Sequence, residues 1–348
     1  MNPAQGLLAA SITATLPLID RTGLVVPTLN ASRYWADLEK AILRQGIAPE
    51  HVLIVDSSSS DDTALLARRA GFRVKVIQAA LFRHGATRQY AAELLPWAEV
   101  LVYITQDALL CGENSLECML KAFQTEQVGA CYGRQLARTE AGPIEQHARL
   151  FNYPALSSLR TFDDRHKIGI RAAFFSNSFA AYRRTAFEEV GGFPLNTIVS
   201  EDVSVAARML VAGWAVAYQA DATAIHSHGF TLGEEFSRYF DIGVHHAREP
   251  WILETFGRAA GEGKAFVISE ASFLLKRRPS LIPWSIVRTA NKLFAYHLGK
   301  YERFVPFALK RAVSAQKGFW LEERGVHAVY EIPQHNAEVP AAAARTAD

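Results

Sequence analysis

The sequence predicts an open α/β fold, a mostly parallel mixed sheet flanked by helices, followed by a mainly helical C-terminal region. Three observations predict it. Short apolar runs alternate with segments of helical period through the first half of the chain. Those runs are continuous rather than alternating and end in polar, turn-forming residues, the pattern of strands covered on both faces. Past about Phe230 the strand pattern stops, and helical spacing punctuated by prolines takes over.

GLVVPTLN, at 23–30, starts as a β-branched run and ends in a turn, so it reads as a strand. YWADLEKAILRQ follows with apolar residues at Trp35, Leu38, Ile42 and Leu43, the spacing of a helix. HVLIVD is the next strand and carries Asp56 to its carboxyl end, where open α/β sheets bind ligands. SSSSDDT closes a turn, with Asp61 or Asp62 capping the helix TALLARRAG. FRVKVIQ is a third strand, GATRQYAAELLPWA a helix, and EVLVYITQDA a strand that delivers Gln106 and Asp107 to a position comparable with Asp56. LECMLKAFQTEQVG reads as a helix, and 137–169 as loop with short helices.

AAFFSNSFAAYRRTAFEEVGGF gives a strand-like run, a helix and a Gly-Gly stop. SEDVSVAARMLVAG has apolar spacing at Val203, Ala206, Ala207 and Leu210 and ends at Gly213, which sets Glu201 and Asp202 in a loop or first helical turn. Free N–H groups there favour anions. From Phe230 to Arg311 helices are expected, with breaks at Pro250, GEGK, Pro279, Pro283 and Pro306. The division expected is 20–229 for the α/β domain, 230–330 for the helical region and 331–348 for a loose tail.

Bulk properties exclude several classes. At 348 residues and 49% apolar the chain fills a substantial core. A net charge of +2 does not call for nucleic acid. Lys264 to Lys317 nevertheless holds eleven Lys or Arg against Glu270 and Glu302, which suits phosphates or anionic lipid. Cys111, Cys118 and Cys131 are too few for a disulfide scaffold and favour a reducing compartment. The opening lacks a basic n-region, its apolar stretch Leu7 to Ile19 is interrupted by Pro17, and no run reaches the length of a spanning helix. The expectation is a cytoplasmic chain, with membrane contact at most peripheral and self-association left open.

Asp107 offers a hard oxygen ligand for Mg²⁺ or Mn²⁺ beside phosphate, or else caps the helix that follows. His226 and His228 are separated by one residue and point the same way in an extended segment, adding nitrogen donors suited to Mn²⁺. Asp202 suits a general base, or an N-cap. Pro27, Thr28, Asp56, His84, Arg88 and Gln106 are the donor-site candidates: Thr28 and Asp56 for a base or ribose, Arg88 for a pyrophosphate. His245-His246 reads as a helix-surface pair outside the site. The chain has no G-x-G-x-x-G after its first strand and no G-x-x-x-x-G-K-[ST] loop.

Taken in order, VVPTLNA, LIVDSSSSDDT, HGATRQ, YITQDA, SEDVSVAARM and IHSHG resemble the inverting, GT-A-fold glycosyltransferases of family 2, nearest to the bacterial rhamnosyltransferase branch. The resemblance spans Gly23 to Gly229 and implies a Rossmann-like fold for 20–229. It also implies that Thr28 and Asp56 surround the donor base, that Arg88 lies in the donor pocket, and that Asp107 is the last carboxylate of a D-x-D metal motif. Asp202 then matches the catalytic base of an E-D motif and His226 a metal-ligating histidine. Here D-x-D is reduced to Thr105-Gln106-Asp107. The implied donor is dTDP-L-rhamnose and the implied acceptor a saccharide or lipid-linked saccharide at the cytoplasmic face of the inner membrane. A sugar-phosphate nucleotidyltransferase and a non-catalytic sugar-binding scaffold are the competing classes.

Overall fold

The computed structural model describes residues 16–257 and 261–322. The chain runs β1 (Thr22–Thr28), α1 (Trp35–Leu43), β2 (Val52–Asp56), α2 (Thr63–Arg69), β3 (Arg73–Val76), α3 (His84–Glu93), β4 (Val100–Ile104) and β5 (Leu109–Leu110). It continues through α4 (Ser115–Lys121), β6 (Val128–Leu136), α5 (Pro143–Asn152), β7 (Ser158–Arg160), α6 (Arg165–Ile168), β8 (Phe179–Arg183), α7 (Arg184–Glu189), α8 (Glu201–Val211) and β9 (Ala215–Ile225). The C-terminal region supplies α9 (Leu232–Arg248), α10 (Pro250–Phe256), α11 (Glu262–Arg277), α12 (Ile282–Lys300), α13 (Phe307–Val313) and α14 (Lys317–Glu322).

The strands form one sheet in the order β3-β2-β1-β4-β8-β6-β9-β5, with β7 paired to β9. The β3-β2-β1-β4 half is parallel throughout, and β6 and β9 are parallel to each other, while β8, β5 and β7 run against their neighbours. From β1 the chain winds out to β2 and β3 on one side and returns to β4 on the other. The crevice at the carboxyl ends of β1 and β4 is therefore where a ligand site belongs.

Alternation of side chains explains why the strands read as continuous apolar runs. Val25, Leu53, Val55, Leu101 and Tyr103 face a core closed by α3, α7 and α8, whereas Leu24, Val26, Ile54, Val100, Val102 and Ile104 face a second core closed by α1, α2 and α4. A third core, around Ile198, Phe240, Val244, Ala295, Phe319 and Trp320, joins the C-terminal helices to the α/β unit. Helices α9 and α12 cross at backbone contact. A Cβ on Gly243 would lie 2.2 Å from the Tyr296 carbonyl oxygen, and one on Gly299 would lie 2.0 Å from that of Phe240.

Some expectations change. Pro283 does not break a helix but sits in the first turn of α12, where its missing N–H has no partner to lose. The break expected at Pro250 is present: α9 ends at Arg248 and α10 opens on Pro250. VGACYGRQL, given no element from sequence, is β6 and pairs with both β8 and β9. Asp61, not Asp62, caps α2, accepting from the N–H groups of Thr63 and Ser32. His245 is buried, 1% exposed, and lies 3.2 Å from the Thr197 hydroxyl rather than on the helix surface. Three members of the basic stretch turn inward: Arg288 and Lys292 pair with Glu235, and Lys310 with Glu302. The stretch 1–15 and the tail 331–348 lie outside the described residues.

Candidate active site

Among the described residues only Asn30, Ser58 and Ser200 combine a side chain with positive φ, at 50°, 56° and 62°. They follow β1, follow β2 and precede α8. Each such backbone costs about 1–3 kcal/mol and persists only where its surroundings demand it. At Ser58 and Asn30 the compensation is visible: Ser58 donates its hydroxyl to the Ile77 carbonyl, and Asn30 Oδ1 accepts from the Ser60 N–H.

The strand-end loops enclose a cavity of about 490 Å³ lined by Pro27, Thr28, Ser57, Phe82, Arg83, His84, Arg88 and Gln106, among others. Five of the predicted donor residues, Pro27, Thr28, His84, Arg88 and Gln106, thus share one wall. Asp56 stands behind it, 1% exposed. Its carboxylate accepts from the Thr28 hydroxyl at 3.0 Å and from the Ser59 N–H at 2.9 Å, so it shapes the loop from within. Gln106 is likewise engaged: its amide oxygen accepts from Leu29 N–H at 2.7 Å and its NH₂ donates to the Leu29 carbonyl at 3.2 Å, joining the ends of β1 and β4.

Arg88 is neither solvated nor open. It is 4% exposed, and one terminal nitrogen lies 3.2 Å from Glu201, 3.2 Å from His84 Nδ1 and 3.1 Å from the His84 carbonyl. An arginine donates only, so His84 Nδ1 accepts and the ring is neutral. Burial pushes His84 down to about 4, against the attraction of Glu201.

At the next strand end Asp107, His226 and His228 converge, with ligand-type atoms all within 4.8 Å of one another. His226 Nε2 is 3.6 Å and His228 Nε2 3.2 Å from the two Asp107 oxygens, and the two Nε2 atoms are 3.0 Å apart. The tautomer of His226 follows from the surrounding bonds. Gln135 Oε1 accepts from the Arg149 guanidinium at 2.9 Å, which fixes it as the oxygen, so His226 Nδ1, 2.9 Å away, must be a donor. Its Nε2 therefore turns a lone pair toward Asp107 and His228. Burial lowers both histidines, His226 to about 3, opposing the pull of Asp107, and the rings are in the neutral, coordinating form. Burial resists ionisation of Asp107, yet the two imidazoles hold its carboxyl below the usual range. One carboxylate and two imidazoles, with His226 oriented by the Gln135 bond that a ligating histidine needs, form a donor set that fits a first-row divalent ion. His228 adds a third ligand-type atom beside Asp107 and His226. The Arg138 guanidinium steadies the trio by donating to the Asp107 carbonyl at 2.8 Å, and its N–H donates to Ser227 Oγ at 3.0 Å.

Glu201 and Asp202 open α8 in opposite environments. Glu201, 5% exposed, is ion-paired with Arg88 and accepts from Asn177 Nδ2 at 3.0 Å, and these partners hold it below the usual range although burial opposes them. Among the described residues Asp202 accepts from the N–H groups of Asn177 at 2.9 Å and Val203 at 2.8 Å. Burial, then the charge of Glu201, raises it to about 7. A carboxylate titrating there is matched to taking a proton near neutral pH.

The three sites meet at Ser176-Asn177-Ser178, which the sequence reading passed over as part of a strand-like run. Ser176 Oγ accepts from Gln135, the partner of His226, at 2.8 Å. Asn177 holds both Glu201 and Asp202 and accepts from the Tyr182 hydroxyl at 2.7 Å. The Ser178 carbonyl accepts from the N–H of Thr105, a residue lining the strand-end cavity, at 3.4 Å. Serine and asparagine before an apolar run give no sequence signal that separates such a hub from a turn.

Comparison with known proteins completes the description. A model of the family described as glycosyltransferase like family 2 matches residues 20–246. The chain is 43% identical over 298 residues to the O-antigen chain rhamnosyltransferase RfbN of Salmonella typhimurium, covering 85% of this chain and 95% of that protein. The O-antigen chain rhamnosyltransferase WbaN of Salmonella anatum matches with the same identity and coverage. Among solved structures, a mannosyltransferase from Pyrobaculum calidifontis in complex with GDP-Man and Mn²⁺ superposes with a TM-score of 0.51 at 20% identity, over 88% of this chain and 86% of that one.

Proposed function

This chain belongs to the family 2-like glycosyltransferases, and on that premise we propose that it transfers L-rhamnose from dTDP-L-rhamnose, with inversion, to a hydroxyl of an O-antigen chain or its lipid-linked precursor. Family membership sets aside the nucleotidyltransferase and scaffold alternatives. The observation that carries the reading is the linkage, through Ser176-Asn177-Ser178, of the donor cavity, the Asp107-His226-His228 donor set and the near-neutral Asp202. The sugar class follows the two 43%-identical relatives, both rhamnosyltransferases.

In the proposed reaction the acceptor hydroxyl oxygen bonds to the anomeric carbon, its proton passes to the Asp202 carboxylate, and the bond from that carbon to the diphosphate oxygen breaks. Asp202 is held for this by the N–H groups of Asn177 and Val203, with no ion pair among the described residues. Glu201 is consumed by Arg88 and Asn177, so its role is to keep Asp202 basic. Asp107, His226 and His228 would hold a divalent ion, whose charge offsets that developing on the departing diphosphate. Two nitrogen donors favour Mn²⁺ over Mg²⁺, which prefers oxygen.

Incubation with dTDP-rhamnose, Mn²⁺ and an O-antigen oligosaccharide should release dTDP and give a product of inverted anomeric configuration by NMR. EDTA should stop the reaction and Mn²⁺ restore it better than Mg²⁺. Preference for a UDP- or GDP-sugar, or turnover indifferent to EDTA, would remove the corresponding part of the proposal.

No helix among the described residues is long and apolar enough to cross a membrane. Helices α11 and α12 nonetheless expose Ile268, Leu275, Ile286 and Phe294, each 58% or more, near Lys276, Arg277 and Arg278. This apolar and basic surface suits the membrane interface on which a lipid-linked acceptor lies. Co-flotation with vesicles containing anionic lipid, lost in the double variant I286E/F294E, is the expected result; flotation unchanged by that substitution would exclude this face.

A further inference from the structure

The donor cavity has a second wall that the α/β unit does not supply. Besides the strand-end loops it is lined by Ala315, Gln316, Lys317, Gly318 and Phe319, from the far C-terminal end of the described chain and beyond the residues 20–246 of the family match. This wall is built in. Asp241 of α9, fully buried, accepts from the Ser314 hydroxyl at 2.6 Å and from Ala315 N–H at 3.0 Å, and Ser314 Oγ in turn accepts from Gln316 N–H at 2.9 Å. On its other side Phe319 and Trp320 are anchored in the third core, against Phe240 and Val244. Between the two anchors the backbone passes close to the α/β unit. Gln316 Nε2 lies 3.3 Å from His84 Nε2, and a Cβ on Gly318 would stand 2.8 Å from the Arg83 guanidinium. Glycine is what lets the chain approach that closely.

The chemistry of the enclosed space is one-sided. Among the described residues its lining contains Arg83, Arg88 and Lys317 and no carboxylate. Arg88 is neutralised from behind by Glu201. Lys317 is exposed on its segment, and no ion pair of Lys317 is found among the described residues. Lys317 lines this cavity with an ammonium that an anionic ligand can pair with.

We infer that the C-terminal segment 314–319 is a fixed wall of the donor site, pinned by Asp241, and that Lys317 binds the diphosphate of the nucleotide-sugar. This rests on the nucleotide-sugar reading proposed above. It makes the C-terminal helices part of the substrate site rather than an appendage, with Lys317 a binding residue and Asp241 a positioning residue.

The test uses the full chain, with dTDP and Mn²⁺ as the probe in titration calorimetry and dTDP-rhamnose in steady-state assays. K317A is expected to weaken dTDP binding roughly tenfold to a hundredfold, the range for one charge-assisted hydrogen bond. K317R should retain most of the affinity and K317E should lose it. The donor KM should rise in K317A while kcat at saturating donor stays within about threefold. D241N, which loosens the segment at its anchor, should raise the donor KM in the same sense with Lys317 still present. Melting temperatures check that each variant is folded; Lys317 is exposed, so its variants keep the core intact. Wild-type binding of dTDP with K317A and K317E equally tight would overturn the inference and leave the proposed function standing. Wild type that binds no dTDP in Mn²⁺ would overturn both, and is recognised because all variants are then alike.

Discussion

Two regions of this molecule gather polar residues at strand ends and use them in opposite ways. At the ends of β1, β2 and β4, Thr28 is bonded to Asp56, Asp56 to Ser59, and Gln106 to both polar groups of the Leu29 backbone. Their hydrogen bonds are largely spent on one another, and what they offer a ligand is a shaped wall. Along the rim at the ends of β4 and β9 and the start of α8, Asp107, His226 and His228 bring their ligand-type atoms within 4.8 Å of one another, and Asp202 has no ion pair among the described residues. The difference teaches that a polar residue in a motif acts chemically when the fold leaves it unsatisfied, and builds when the fold satisfies it. Substitutions on the rim should therefore cost rate, and substitutions on the wall should cost order.

The largest effect is expected at Asp202. D202N keeps the size of the side chain but cannot take the acceptor's proton, and kcat should fall about a thousandfold, within the 10²–10⁴-fold range for general base catalysis. Donor KM should move no more than a few-fold. An enzyme that kept a tenth of its turnover would place Asp202 with the builders and erase the contrast at its strongest point.

Next comes His228, which under the proposed function is a ligand that the shortened metal motif alone does not point to. H228A removes one of three protein donors, and Mn²⁺ affinity should drop about a hundredfold or more, beyond what an outer-shell partner contributes. Calorimetric titration of Mn²⁺ measures it directly. Unchanged affinity would leave Asp107 and His226 as a two-residue site and return His228 to the structural class.

How much of this was legible follows from what each residue's signal consists of. Apolar runs fix strands and their order along the chain, so β1 to β4 and the placement of Asp56 and Asp107 near strand ends were readable from period and turn residues alone. The E-D pair at the start of α8 was readable as well, because helix spacing dates from Val203 onward. His228 had only its spacing from His226 to recommend it, and its role depends on a carboxylate more than a hundred residues away. The tautomer of His226 depends on Gln135 of β6, whose own amide is oriented by Arg149 of α5 and Ser176. Such a chain of partners crosses four elements and leaves no local pattern. Lys317 was counted among eleven basic residues; only the pinning of its segment by Asp241 separates it from Arg288, Lys292 and Lys310, which turn to Glu235 and Glu302.

A smaller effect sharpens the rim further. Asp202 must be ionised to accept a proton, and burial with the Glu201 charge has raised it to about 7, so kcat should climb with pH through about 7 and level off above. E201Q removes the neighbouring negative charge and leaves Arg88 without its counter-ion; both changes favour the ionised form of Asp202 and push its pKa down. The acidic limb of the kcat profile should shift to lower pH, even if the plateau falls because Arg88 loses its partner. A limb that stays in place, or moves upward, would mean that another group sets it.

The smallest effect is expected where the wall is most fully satisfied. Q106A deletes the two hydrogen bonds by which the Gln106 amide holds the Leu29 backbone, at 2.7 and 3.2 Å. Both lie at the surface, where water replaces the lost partner, so the change should cost about 1 kcal/mol of stability, read as a few degrees of melting temperature. The loop after β1 then loosens at Asn30, whose positive φ the surrounding bonds sustain, and donor KM should rise a few-fold while kcat and Mn²⁺ affinity hold. The outcome that breaks the comparison is a rise in donor KM of thirtyfold or more with an unchanged melting temperature. That result would make Gln106 a direct donor contact, and would mean that satisfied partners in the free enzyme are exchanged for the substrate when it binds.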